Sequence, residues 1–148
     1  MAKPFSVQVV IDCLAPHDLA DWWADTLGWQ VEPQDESFIR SMIDKGFATD
    51  ADTTTHKGSL VWATATAIGP GESTTNGQPR VLFQKTDTPK SIKNRVHLDL
   101  RGTQDVDLDE LHQSLASRGA TQIGEGAEGP HRWIVYADPE GNEFCVDR

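Results

Sequence analysis

The chain has 148 residues, one domain's worth, and is long enough to bury a core without a disulfide or metal staple. With 37% hydrophobic and 24% charged residues it is excluded from the disordered class and fits a globular one. Thirteen Lys and Arg against 23 Asp and Glu give a net charge of −10, which argues against duplex nucleic acid and an anionic membrane surface as partners and leaves room for a cationic ligand.

From Phe5 to Asp12, apolar Phe5, Val7, Val9 and Ile11 alternate with Ser6, Gln8, Val10 and Asp12, the period of a strand with one face on a core. Pro16, His17 and Asp18 then open a helix in which Leu19, Trp22, Trp23, Thr26 and Leu27 recur at helical spacing, with Gly28 as its stop. Trp22 and Trp23 are expected on different sides of that helix, one on the sheet and one at a surface. Trp29–Glu32 and Ser37–Ile43 read as two further strands separated by Pro33-Gln34-Asp35-Glu36. The polar, Thr-rich stretch 44–58 and the Gly/Pro/Ser/Thr stretch 69–80 read as insertions or mobile edges flanking a β-prone run, Leu60–Ile68. Val81-Leu82-Phe83-Gln84 is one more short strand.

The second half repeats the plan. Arg95 to Arg101 alternates, with Val96, Leu98 and Leu100 on one face and His97, Asp99 and Arg101 on the other. Asp107 or Asp109 caps a helix whose Leu108, Leu111 and Leu115 share a stripe and which ends at Gly119. Ala120–Ile123 is a short strand, and 124–129, like 69–77, is glycine-rich and expected as a mobile loop rather than a phosphate cradle. Trp133–Tyr136 and Glu143–Val146 flank the turn Asp138-Pro139-Glu140-Gly141-Asn142. Strand–helix–strands thus occurs twice, which reads as a duplicated module whose copies must cover each other's sheet faces.

Cys13 and Cys145 form no CxxC pair; two buried thiols in a reducing compartment is the reading, with one long-range disulfide as the alternative. The N-terminal Met-Ala-Lys-Pro-Phe-Ser has no signal-like apolar run, and no stretch approaches about 18 apolar residues, so a cytoplasmic location is expected. No GxSxG elbow is present.

Ile11-Asp12-Cys13-Leu14-Ala15-Pro16, followed by Ala20 through Trp29 (ADWWADTLGW), resembles the opening module of the vicinal oxygen chelate superfamily. That superfamily includes glyoxalase I, bleomycin- and fosfomycin-resistance proteins and extradiol dioxygenases. Asn94–Leu100 (NRVHLDL) and Ala137–Cys145 (ADPEGNEFC) are similar to its second module, in a bacterial glyoxalase-like subgroup. The resemblance implies an α+β fold of two βαβββ modules, about 5–86 and 94–148, forming one cavity within a single domain. It implies metal positions on the first and last strands of each module, which by spacing are Gln8, Gln84, His97 and Cys145. Members that hold a divalent metal show His and Glu there, and this chain has one His and no Glu.

Two functions follow from that resemblance. The leading one is a metal-free protein of the bleomycin-resistance type that encloses a small organic molecule. The alternative is a lyase, isomerase or dioxygenase dependent on a divalent metal, Zn, Ni, Mn or Fe; a plain interaction module is the blander third. His97 and Glu143 are the expected catalytic groups, with Gln8, Asp12, Trp62, Gln84, Asp99, His131 and Cys145 contacting the ligand. A homodimer is expected by the same resemblance. His17, at a helix start, His56, in a polar loop, and His112, on a helix flank, have weaker claims than His131.

Overall fold

The computed structural model describes residues 5, 7–71, 80–102 and 107–148, so most of the stretch 69–80 lies outside the described residues. Two compact units, Met1–Thr88 and Pro89–Arg148, divide the chain.

In the first unit, β1 (Val9–Cys13) leads into α1 (Pro16–Leu27) and β2 (Gln30–Val31). Next come α2 (Glu36–Asp44), β3 (Thr53–His56), β4 (Ser59–Trp62), β5 (Ala65–Gly69) and β6 (Val81–Lys85). The sheet runs β1-β6-β5-β2, with β1 parallel to β6 and the other pairs antiparallel. The register Val9↔Val81 and Ile11↔Phe83 gathers these four side chains on one face, against α1. Val10, Asp12, Leu82 and Gln84 fall on the opposite, open face, which sequence alternation alone anticipated for β1. Pro16 starts α1 with its φ already helical, and Gly28 ends it at φ 67, a left-handed cap that favours glycine.

Three expectations for this unit are corrected. Ser37–Ile43 is not a strand but lies in α2: the Asp35 side chain accepts the Phe38 N–H as an N-cap, Glu36 and Arg40 pair one turn apart at 2.7 Å, and Ile39, Met42 and Ile43 share a stripe with Ile39 fully buried. The run Leu60–Ile68 breaks at Ala63-Thr64, so β4 leaves the sheet to pair with β3, and 44–58 holds structure of its own. Trp22 and Trp23 are both buried, 8% and 2% exposed, packed edge to face at 5.2 Å, because two positions about 100° apart can flank one wide buried stripe.

The second unit repeats the topology. β7 (Leu98–Leu100), α3 (Leu108–Ser117), β8 (Thr121–Glu128), β9 (His131–Ala137) and β10 (Glu143–Asp147) form a sheet ordered β7-β10-β9-β8, first strand beside last as in the first unit. The fold is therefore α+β with two βαβββ modules. Asp107 caps α3 by accepting the Glu110 N–H. The turn before β10 is built on buried Asp138, whose Oδ1 accepts the N–H groups of Glu140 and Asn142, while Gly141 takes φ 89.

The glycine-rich stretch 124–129 is not a mobile loop: β8 runs through it and turns at Gly129-Pro130. Gly126 is needed because the Trp133 indole lies over it; a Cβ there would stand 2.3 Å from the ring. Arg95, Val96 and His97 precede β7 rather than belonging to it. Among the described residues there is no disulfide: Cys13 and Cys145 are both buried thiols. No helix among them is long and apolar enough to cross a membrane.

Candidate functional site

The parallel pairing of β7 with β10 sets Asp99 opposite Cys145. Asp99 and Cys145 lie on the open side of the second sheet, away from α3, and His97, just before β7, converges on them there. His97 Nδ1 lies 3.1 Å from Asp99 Oδ1, and ligand atoms of all three residues fall within 4.8 Å of one another. His97 and Asp99 are exposed while Cys145 is buried. Burial raises the Cys145 pKa, and the Asp99 charge and the hydrogen bond to it raise it further, so the thiol is protonated and donates to Asp99. Asp99 thus accepts the Cys145 S–H, with the His97 Nδ1 beside it at 3.1 Å.

The strip continues along β10. Asp147 meets Arg101 at 3.5 Å and His131 at 3.6 Å, and the His131 ring tilts against Trp133 at 5.5 Å. Glu143 is engaged elsewhere. Its carboxylate forms a mostly buried ion pair with Lys90 at 2.9 Å and accepts the Asn94 N–H at 3.0 Å. Burial alone would push its pKa up, but Asn94 and Lys90 hold it at about 2. Glu143 therefore ties the segment leading to His97 onto β10 and stays outside the His97 cluster.

The other residues singled out lie in the first unit. Asp12 and Gln84 face each other in register on its open sheet face. Gln8 accepts a hydrogen bond from Arg80 at 2.9 Å, and Arg80 grips Glu32 through two bonds of 2.8 Å. Trp62, half-buried on β4, lines a concavity of about 260 Å³ with Arg80 and Leu82. Arg80, Arg101 and Asp147 are the charged groups sequence reasoning did not select. The signal for Arg80 was its place just before β6, level with Gln8.

The donor set has the chemistry of a cation site. His97, Asp99 and Cys145 are the residues that would hold such an ion, their ligand atoms lying within 4.8 Å of one another. Imidazole and thiolate suit zinc better than manganese, which prefers oxygen. A bound cation would also draw off the thiol proton.

Residues 8–146 match the family described as a glyoxalase-like domain. No curated protein matches the chain. Among solved structures, the chain is similar to a variant of the genomically encoded fosfomycin resistance protein FosX from Listeria monocytogenes, complexed with Mn(II) and dihydroxypropylphosphonic acid. That likeness has a TM-score of 0.62 at 9% identity and covers 99% of this chain and 92% of that one. It is also similar to a glyoxalase/bleomycin resistance protein/dioxygenase family enzyme from Burkholderia phytofirmans PsJN, with a TM-score of 0.60, 14% identity and coverage of 95% and 94%. A hypothetical protein of S. aureus, SA1046, gives 0.57 at 12% identity over 97% and 96%. At these identities the structural likenesses speak for the fold.

Proposed function

The chain belongs to the glyoxalase-like domain family, within the vicinal oxygen chelate superfamily, and from that premise we propose that it binds a small organic molecule over the open face of its second sheet, attached through a divalent metal ion held by His97, Asp99 and Cys145. The observation that carries this reading is the convergence of imidazole, carboxylate and thiol within 4.8 Å. Three protein ligands leave a position for the organic molecule, as in catalytic zinc sites. The metal would polarise oxygen atoms of that molecule, the chemistry of a metal-dependent lyase, isomerase or dioxygenase. This chain's own contribution is positional: His131, Arg101 and Asp147 supply polar contacts along the strip. We take the protein to be a cytoplasmic homodimer by the same family premise.

A second reading rests on the protonated Cys145 thiol. Where no metal displaces that proton, the same face is a metal-free binding surface of the bleomycin-resistance type, lined by His97 and Asp99.

Elemental analysis of protein purified without chelator or affinity metal, repeated after addition of Zn, Ni, Mn and Fe(II), decides between them. The metal reading expects about one equivalent, zinc held best, lost in His97→Ala and Cys145→Ala. No retained metal under any condition refutes it and leaves the metal-free reading, for which ligand screens by Trp fluorescence follow.

A further inference from the structure

We propose that the first unit carries a second binding site, on the helix-covered side of its sheet, for a small organic cation bearing N–H donors. The cavity has a volume of about 440 Å³, within the range of small-molecule sites, and lies among α1, the β3–β4 hairpin and β5. Trp29 and Val61 give it apolar walls, and His17, Asp21, His56 and Thr66 give it polar ones.

Two observations point to a polar ligand. Thr66 is only 3% exposed, yet its hydroxyl has no hydrogen-bond partner among the described residues. Such an orphaned group costs about 1–3 kcal/mol, which a ligand hydrogen bond returns. The two histidines each engage an oxygen through the same ring nitrogen. The ring nitrogen Nε2 of His17 lies 2.8 Å from the Trp62 carbonyl oxygen, and Nε2 of His56 lies 2.7 Å from Asp21 Oδ2. Both oxygens accept only, so each Nε2 carries the proton and, in the neutral ring, each Nδ1 presents a lone pair. The rings stack at 5.0 Å on the wall of the cavity.

The charge agrees. Of the carboxylates that border the cavity, Asp21 is paired with Lys57 and His56, and Glu32 with Arg80, which leaves Asp25 as the carboxylate with no ion-pair partner among the described residues. An anion would meet that charge, and a cation would meet it beside Trp29, an aromatic wall that suits positive charge. This site is separate from the His97 cluster and does not depend on the metal reading.

The test uses benzylammonium as probe, titrated into the full chain labelled for amide NMR, with benzoate and benzyl alcohol as controls. Benzylammonium should shift the amide resonances of Trp29, His56 and Thr66, and benzoate should leave them in place. Thr66→Val should weaken benzylammonium about tenfold, the loss of one hydrogen bond to a charged group. The same variant should melt higher than the parent, because it removes an unsatisfied hydroxyl. Asp25→Asn, an exposed change that leaves the fold alone, should weaken the probe as well, while His97→Ala should leave it unchanged. Equal affinity for the three probes, shifts confined to other residues, or a Thr66→Val variant that binds normally or melts lower, overturns the proposal.

Discussion

Gly126→Ala is the sharpest steric perturbation in the second unit. A Cβ at this position would stand 2.3 Å from both Cε2 and Cζ2 of Trp133 and 2.6 Å from Nε1. Carbon atoms in contact sit about 3.5–4.0 Å apart, so the shortfall exceeds about 1 Å, more than a rigid indole absorbs by tilting. Trp133 must therefore leave its rotamer, giving up its cover over β8 and its contact with His131 at 5.5 Å. Overpacking of this kind costs about 1–3 kcal/mol, and at about 2–4 °C per kcal/mol for a chain this long the melting temperature should fall by about 2–12 °C. Thermal unfolding by circular dichroism reads the shift, and Trp emission reports the displaced ring. The decisive control is Trp133→Val. With the indole gone, Gly126→Ala should become neutral or slightly stabilising, because alanine restricts the unfolded strand more than glycine does. An equal loss in both backgrounds would refute the steric account.

Two further outcomes depend on pH. Glu143 has its pKa lowered from 4.5 to about 2, so its stabilisation is full above 4.5 and is lost as pH falls through about 2. Discounted for solvent screening, the shift corresponds to about 1–2 kcal/mol: urea denaturation of Glu143→Gln should show that loss at pH 7 and a flatter decline between pH 4.5 and 2. His112 is hydrogen-bonded to Tyr136 and has its pKa lowered from 6.5, first by burial and then by the Arg148 charge. The unfolded chain then binds the extra proton, so stability is full above 6.5 and falls as pH drops below it; His112→Gln should remove that part of the slope between pH 8 and 5, read from the denaturant midpoint.

The duplicated plan was legible because its signals are local. Alternation in Val9–Cys13, the Pro16 entrance and Gly28 exit of α1, and the Asp138-to-Asn142 turn each need only neighbouring residues. Ser37–Ile43 went astray for the opposite reason. Its apolar residues satisfy either period, and the choice for helix comes from the Asp35 cap and from burial of Ile39, which tertiary packing supplies. Gly124 and Gly126 were misread because glycine marks a loop in sequence but also marks the place where a partner strand lays a large ring.

Alternation in the sequence put His97 and Asp99 on one face, and the resemblance singled out Cys145, but their convergence depends on register, and the bonds that occupy Glu143 reach 53 and 49 residues along the chain. Register also realigns the two copies. Asp12 stands opposite Gln84 as Asp99 stands opposite Cys145, so the residue matching His97 is Val10, while Gln8 lies two positions further out, bonded to Arg80. The first sheet thus presents an apolar side chain where the second presents an imidazole. With a neutral amide at Gln84 besides, Asp12 is the one anionic donor there among the described residues. Among those residues the second sheet assembles three donors, two of them anionic once a metal has displaced the thiol proton. For that reason any metal held by this chain should depend on Asp99 and Cys145 as strongly as on His97, and should be indifferent to Gln8.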